Sequence, residues 1–464
     1  MFINRISFTL LLTLCLVVQS PHAFSQQENV ADSNGTTSTR TSSGEQAQQT
    51  QDDWGDEWGD SWEDSTIESN PLTLSGFAEI AIGERLYSDP AINTAKTLRD
   101  ARVQVRADYA LSASTVRFRG DLYYDGVKRS WESQLRELAW QGSLSGLGKW
   151  GEQFDLKVGQ QVLTWGTGDY LFLNDLFPKD FQSFFAGRDD EYLKAPSASI
   201  KLSGYFDAFN ADVVITPSFE PDIGITGEVF SFFSPQLNDN IAPAFSVTDE
   251  NTPSGEELAV RLYGTIGQAE IALYGYRGYT KQPLSADNTG LPRYSRMNAY
   301  GASVLMPLGA GIANAEYAYY DSVEDASGSN PLVMNSQSRY LMGYSQELYT
   351  NVTGGVQWYT EVIHDYDALI NHSSYPAFEQ ERFRHWVTTR ITYMALRQTL
   401  MVNTFLFYSP TDSDGYLKAN VTYSPGDTWQ LRSGINIFKG NNPFTFWGQF
   451  EDASNAYVAL RYFY

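Results

Sequence analysis

The sequence holds one cysteine in 464 residues, Cys15. A single thiol excludes a disulfide framework and any cysteine-based metal site. Charged side chains are few, at 19%, and bases are fewer than acids: 32 Lys and Arg against 55 Asp and Glu give a formal charge of −23. With no net positive field to hold phosphates, nucleic acid and anionic membrane surfaces are excluded as partners on charge grounds. After residue 25 no run approaches the roughly eighteen consecutive apolar residues that a membrane-spanning helix needs. Histidine is rare, with four in the chain. What is abundant is Gly, Tyr and Phe, at 37, 29 and 27, a mixture that favours extended strands and turns.

The first 25 residues read as a secretory signal peptide. Arg5 supplies the positive start, residues 6–18 the apolar stretch, and Ala23 and Ser25 the small residues before a cut at Gln26. Cys15 leaves with that segment. Residues 26–70 differ from the rest of the chain. They are rich in Gln, Ser, Thr and Asn, and carry 11 acids against one base, Arg40. Such a composition predicts a disordered tail on the periplasmic side. Within it Trp54, Trp58 and Trp62 recur every four residues among acids. Two readings stand side by side: a linear motif that docks on a periplasmic partner or tucks into a pore, and a plain solvated tail.

From residue 71 to 464 the pattern is that of an all-β, antiparallel transmembrane barrel. Val103, Val105, Ala107 and Tyr109 share one face of a strand while Arg102, Gln104, Arg106 and Asp108 share the other. Val116, Phe118, Leu122 and Tyr124 likewise oppose Arg117, Arg119, Asp121 and Tyr123. Alternation of this kind is expected where one face meets lipid and the other a polar lumen. Short connections are expected at 111–114, 207–208, 267–268, 307–309, 346–349, 395–396 and 425–427. Long ones are expected at 83–101, 164–196, 218–256, 280–296, 321–335 and 362–382. Short periplasmic turns and long outer loops account for the alternation. The spacing predicts about 18 strands, with 16 as the alternative. The last strand, 455–464, places Val458, Leu460, Tyr462 and Tyr464 on one face. An ending of this type, carried by Tyr462 and Tyr464, is a signal for the bacterial outer-membrane assembly machinery. The predicted location is the Gram-negative outer membrane, in contact with its lipids.

The connection at 164–196 is the main candidate for function. It carries Asp169, Asp175, Asp180, Asp189, Asp190 and Glu191 against Lys179, Arg188 and Lys194. Following the fifth strand, it resembles the constriction loop of general porins, which folds into the lumen. Arg102, Arg106, Arg117 and Arg119 point inward on adjacent strands and need facing anions. The acidic loop is expected to supply them, as a transverse field across an eyelet or as ion pairs that only pin the loop. The same loop is apolar at Phe172, Phe177, Phe181, Phe184 and Phe185, and the next loop at Phe230, Phe232 and Phe233. These rings either form loop mini-cores or line a path for a hydrophobic solute.

No catalytic constellation is expected. A hydrolase reading rests only on His364, in the run His364-Asp365-Tyr366-Asp367, since His372 and His385 stand apart from any nucleophile motif. No cofactor or metal is called for.

The run Thr164-Trp165-Gly166-Thr167-Gly168-Asp169, then Asn174-Asp175-Leu176-Phe177-Pro178-Lys179-Asp180, and later Asn442-Pro443-Phe444-Thr445-Phe446-Trp447-Gly448, resembles a family of proteobacterial outer-membrane barrels. These are similar to porins and to the alginate-export type of barrel. The resemblance implies an outer-membrane channel for solutes. It also implies an alternative, a barrel component that exports lipid or other hydrophobic cargo beside an inner-membrane exporter of the RND type.

Overall fold

The computed structural model describes residues 71–243 and 247–464. The segments read as signal peptide and acidic tail, with Trp54, Trp58 and Trp62, lie outside the described residues. One sheet holds eighteen strands. In chain order they are β1 (Leu72–Arg85), β2 (Lys96–Leu111), β3 (Ser114–Asp125), β4 (Ser130–Ser143), β5 (Phe154–Val162) and β6 (Pro196–Tyr205). Then follow β7 (Asn210–Thr216), β8 (Glu257–Ile266), β9 (Ala269–Tyr279), β10 (Arg296–Leu308), β11 (Gly311–Ser322) and β12 (Gln337–Tyr349). The last six are β13 (Val352–Ile363), β14 (Phe383–Ala395), β15 (Leu400–Ser409), β16 (Asp414–Tyr423), β17 (Trp429–Gly440) and β18 (Asn455–Phe463). Each pairs antiparallel with its sequence neighbours, and β18 returns to pair with β1. The sheet is therefore closed, with eighteen strands and not sixteen.

Burial along the strands is inverted relative to a protein with an apolar core and a wet surface. Ile80 is 65% exposed and its neighbour Glu79 only 5%. Val103 and Val105 are exposed, while Arg102 and Gln104, which alternate with them, are buried. Apolar side chains such as Leu122, Leu273, Val356, Leu406 and Leu460 point out, and the charged set points in. This is the arrangement of a transmembrane barrel.

Leu72 and Phe463 lie at the same end of the barrel, where connections are short. Four of those turns have residues with positive φ: Gly267, Gly309, Asn351, and the run Leu396, Arg397 and Gln398. The turns expected at 307–309 and 346–349 sit at 309–310 and 350–351, because both strands run further before a residue that tolerates the turn. At the opposite end the connections are longer, up to 217–256. Two there are short, 126–129 and 410–413, and the turn 144–153 at the first end is long; the sequence alternation had not marked these. The strand β2 begins at Lys96, so the loop expected over 83–101 shrinks to 86–95.

The seam shows why a glycine is needed. Gly76 of β1 exchanges backbone bonds with Tyr464, N to O at 3.1 Å in both directions. The Tyr464 hydroxyl crosses it to donate to the Gln104 carbonyl at 2.8 Å. A Cβ on Gly76 would stand 2.2 Å from that carbonyl oxygen.

Candidate functional site

The chain leaves the wall after β5 and returns at β6, and the intervening residues 163–195 turn into the lumen. Most of them are buried against inward-facing wall residues. The turn Trp165-Gly166-Thr167-Gly168 is received by Glu316 of β11. That carboxylate accepts from the Thr167 N–H, from the Thr167 hydroxyl at 2.9 Å and from Asn174 Nδ2 at 2.7 Å. Asn314 donates to the Thr167 carbonyl at 2.7 Å, and Gln357 of β13 accepts from the Asp169 N–H at 3.0 Å. Gly166 turns with φ of 87°, close against the Glu316 carboxylate.

A buried cluster joins the two legs of the loop. Asp175 binds Lys179 at 2.9 Å, Lys194 at 2.8 Å and the Thr164 hydroxyl at 2.8 Å. Burial lowers the Lys179 ammonium to about 8, against the pull of Asp175. Asp180 caps the short helix α1 (Phe181–Ala186), accepting from the Ser183 N–H at 2.8 Å and from its hydroxyl at 2.6 Å. Gly187, at φ of 87°, ends α1. Beyond it Arg188 reaches out to the wall, to Asp100 at 2.6 Å and Asp125 at 3.4 Å.

The acidic corner follows. Asp189 meets Arg432 of β17 at 2.6 Å and Arg461 of β18 at 3.3 Å. Burial opposes its charge, but these two guanidinium groups hold its carboxyl well below the usual carboxylate range. Asp190 pairs with Lys418 of β16 and accepts from the Tyr170 hydroxyl at 2.6 Å. Glu191 lies 3.3 Å from Arg106 of β2 and 3.5 Å from Arg461. Burial and the adjacent Asp189 push the Glu191 carboxyl up. Asp169 pairs with Arg390 of β14 at 3.2 Å. Arg136 of β4 donates to the Glu191 carbonyl at 2.6 Å.

The four arginines singled out from sequence divide. Arg106 meets the loop carboxylate of Glu191 at 3.3 Å. Arg102 pairs with Asp121 at 2.6 Å and faces the loop through the Tyr192 ring, 4.3 Å from its centroid. Arg117 lies 3.9 Å from Asp108, and Arg119 lies 3.4 Å from Glu137, both wall carboxylates. Asp189 and Asp190 face bases of β16–β18. Within the loop, Asp175 and Asp180 serve its internal scaffold, and Arg188 pins it. Asp169, Asp189, Asp190 and Glu191 face wall bases. Glu316, Gln357, Arg390, Lys418, Arg432 and Arg461 were missed. The inward phase of their own strands was the available signal, as with Arg432 between Leu431 and Ser433.

Phe177, Phe184, Phe185 and Phe230 are buried at 5% or less, in a cluster that also takes in wall aromatics. Phe172 and Phe181 pack against it. Phe232 and Phe233 are half-buried, and Phe233 meets Phe378 and Phe444 of two other loops. The loop over 217–256 is stitched down as well: Arg85 donates to the Val229 carbonyl, and Ser231 donates to Asp89 at 2.8 Å. Tyr462 and Tyr464 face outward at the seam. His364 Nε2 lies 2.9 Å from the Ser338 hydroxyl, His385 pairs with Thr360, and His372 bonds a backbone carbonyl of the helix α2 (Tyr366–His372). Among the described residues no group of three or more side chains is placed to hold a metal.

Three solved structures share the arrangement. OccK5 (OpdH) of Pseudomonas aeruginosa is 11% identical, with a TM-score of 0.50 over 85% of this chain and 97% of that one. OccAB3 of Acinetobacter baumannii is 10% identical, with a TM-score of 0.50 over 85% and 99%. OccK2 (OpdF) of P. aeruginosa, solved with glucuronate, is 11% identical, with a TM-score of 0.51 over 85% and 97%. At these identities the likeness shows the barrel fold. No protein-family model and no curated protein matches the sequence.

Proposed function

We infer that the chain is a channel of the Gram-negative outer membrane, passing small polar solutes through a lumen narrowed by residues 163–195. The observation that carries this reading is the acidic corner Asp189–Asp190–Glu191 inside a closed barrel. Bases from β2, β16, β17 and β18 face it. Fixed charges of both signs across a narrow passage sort solutes by charge and size. The side chains of Arg106, Arg117, Arg119 and Arg390, each paired with a carboxylate, keep a quarter to a third of their surface exposed. The glucuronate bound to OccK2 is a small anionic solute. On this reading Leu72 and Phe463 face the periplasm, and the outward apolar face meets lipid.

In planar bilayers the purified protein should conduct with ion selectivity. Replacing Arg106, Arg117 and Arg119 by Gln should move the reversal potential toward cation preference. Folded protein that conducts nothing would overturn the open-channel reading. The second reading, export of hydrophobic cargo with an RND-type exporter, is favoured by the aromatic side of the lumen. Its test is co-purification with such an exporter, lost when Trp54, Trp58 and Trp62 are replaced.

A further inference from the structure

One side of the lumen is built of rings. Phe405 and Phe407 of β15, Tyr416 of β16, Phe438 of β17 and Trp447 of the loop 441–454 form an unbroken series. Centroids are 4.6 Å apart between Phe405 and Phe407, 5.7 Å between Phe407 and Tyr416, and 4.5 Å between Tyr416 and Phe438. Trp447 lies 5.0 Å from both Phe407 and Tyr416. Tyr416 and Phe438 are parallel within 7°, and Phe407 and Tyr416 within 16°. At the foot of the series a small cavity is lined by Arg390, Lys418, Asn403 and Asn420, beside Phe405. The wall's own strands end there on two cations and two amides, while Tyr170 and Asp190 of the inward loop complete the lining.

What covers this wall indicates its ligand. Phe184 packs on Tyr416 at 5.9 Å, Phe185 on Phe438 at 5.3 Å and Tyr170 on Phe405 at 4.8 Å. At the foot Asp190 pairs with Lys418, and Asp169 with Arg390. The loop thus offers an apolar body to the rings and carboxylates to the cations. In peptide form that is an anionic amphiphile.

We propose that the wall of β15–β17 and the cavity at its foot form a binding site for a single-chain amphiphile with an anionic head, which the inward loop occupies as a stand-in. The apolar chain lies along Phe407, Tyr416 and Phe438 once Phe184 and Phe185 withdraw. The head group takes the places of Asp190 and Asp169 on Lys418 and Arg390, with Asn403 and Asn420 as donors to its remaining oxygens. This site goes beyond the polar channel and does not depend on it, because occupancy is read apart from conductance.

The test uses the full-length barrel in phosphatidylcholine vesicles and a long-chain carboxylic acid carrying a diazirine at its tail. Cross-links are mapped by peptide mass spectrometry. Lipid-facing Leu406, Leu417, Ile435 and Ile437 report background. The expected result is labelling of inward Phe407, Tyr416, Phe438 or Trp447 that unlabelled acid competes away. The double variant Phe184→Ala/Phe185→Ala should raise it at least fivefold. Phe184→Leu/Phe185→Leu keeps apolar volume in the helix and should give a smaller rise, which guards against a variant that fails to fold. The matching long-chain alcohol should label the inward positions at least fivefold less than the acid. Label confined to the outward residues in the wild type and in a folded variant overturns the site. Equal labelling by acid and alcohol overturns the anionic head.

Discussion

Glu316 illustrates how much of the loop rests on single side chains. It is buried on β11 and collects three donors from a turn about 150 positions earlier in the chain. Removing the acceptor strands buried donors, at a cost of about 1–3 kcal/mol. Glu316→Ala should therefore release the turn at Thr167, seen as faster protease cleavage within 163–195 while the barrel stays intact. Asp222 makes a second point. It accepts from the Lys179 N–H at 2.8 Å and so helps tie the loop over 217–256 to the inward loop. Its side chain keeps some exposed surface, yet the surrounding protein pushes the carboxyl from 3.8 up to about 6. Between those values the docked state holds a proton that the free side chain has lost. Docking is therefore favoured at low pH and weakens as pH rises through the window. Hydrogen exchange at Lys179 and Ile223, corrected for intrinsic rate, should be slower at pH 5 than at pH 7, and Asp222→Asn should flatten the difference. Neither residue stood out in the sequence, because nothing local to Glu316 or Asp222 marks the distant segment it holds.

At the scale of strands the sequence was far more legible. Period-two alternation at 102–109 and 116–124 predicted both the strands and the inward set Arg102, Arg106, Arg117 and Arg119, since phase alone decides which side chains share a face. Turn positions were less legible. Pro307 marked a turn by composition, yet it pairs with Ile312 inside the β10–β11 ladder, and Gly309 makes the turn. Which carboxylate each inward arginine meets was less legible, because it depends on where the loop's corner lands. The β1–β18 seam makes a sharp prediction. Gly76→Val places a branched side chain against the Gln104 carbonyl and under Tyr464. The variant should close poorly, with loss of the heat-modifiable band on gels, whereas Gly275→Val on the outward face, where a Cβ meets nothing within 4 Å, should fold normally.

For the whole molecule, wall and loop are separable in principle. All eighteen strands pair without help from 163–195. Deleting 170–192 and joining the legs with a short Gly-Ser linker should leave the β-sheet circular-dichroism signal in place. Conductance should rise severalfold, because water then solvates Asp100, Arg432 and Arg461. An unchanged conductance would mean that the passage runs elsewhere.

The pairing of Asp189 and Glu191 with Arg432 and Arg461 also sets an order of events. The cluster Thr164–Asp175–Lys179–Lys194 lies within one short stretch and needs nothing synthesised later. The acidic corner waits for the last two strands, more than 240 residues downstream. Contacts so distant in sequence are slow to form. Wall partners of Arg188 and Glu191 on β2–β4 precede the loop in the chain, so its tip is held on one side first, and the interior locks on the other side only when the barrel zips shut. Insertion into the membrane and completion of the narrowing become a single late step, so an incompletely assembled barrel is also an incompletely guarded one.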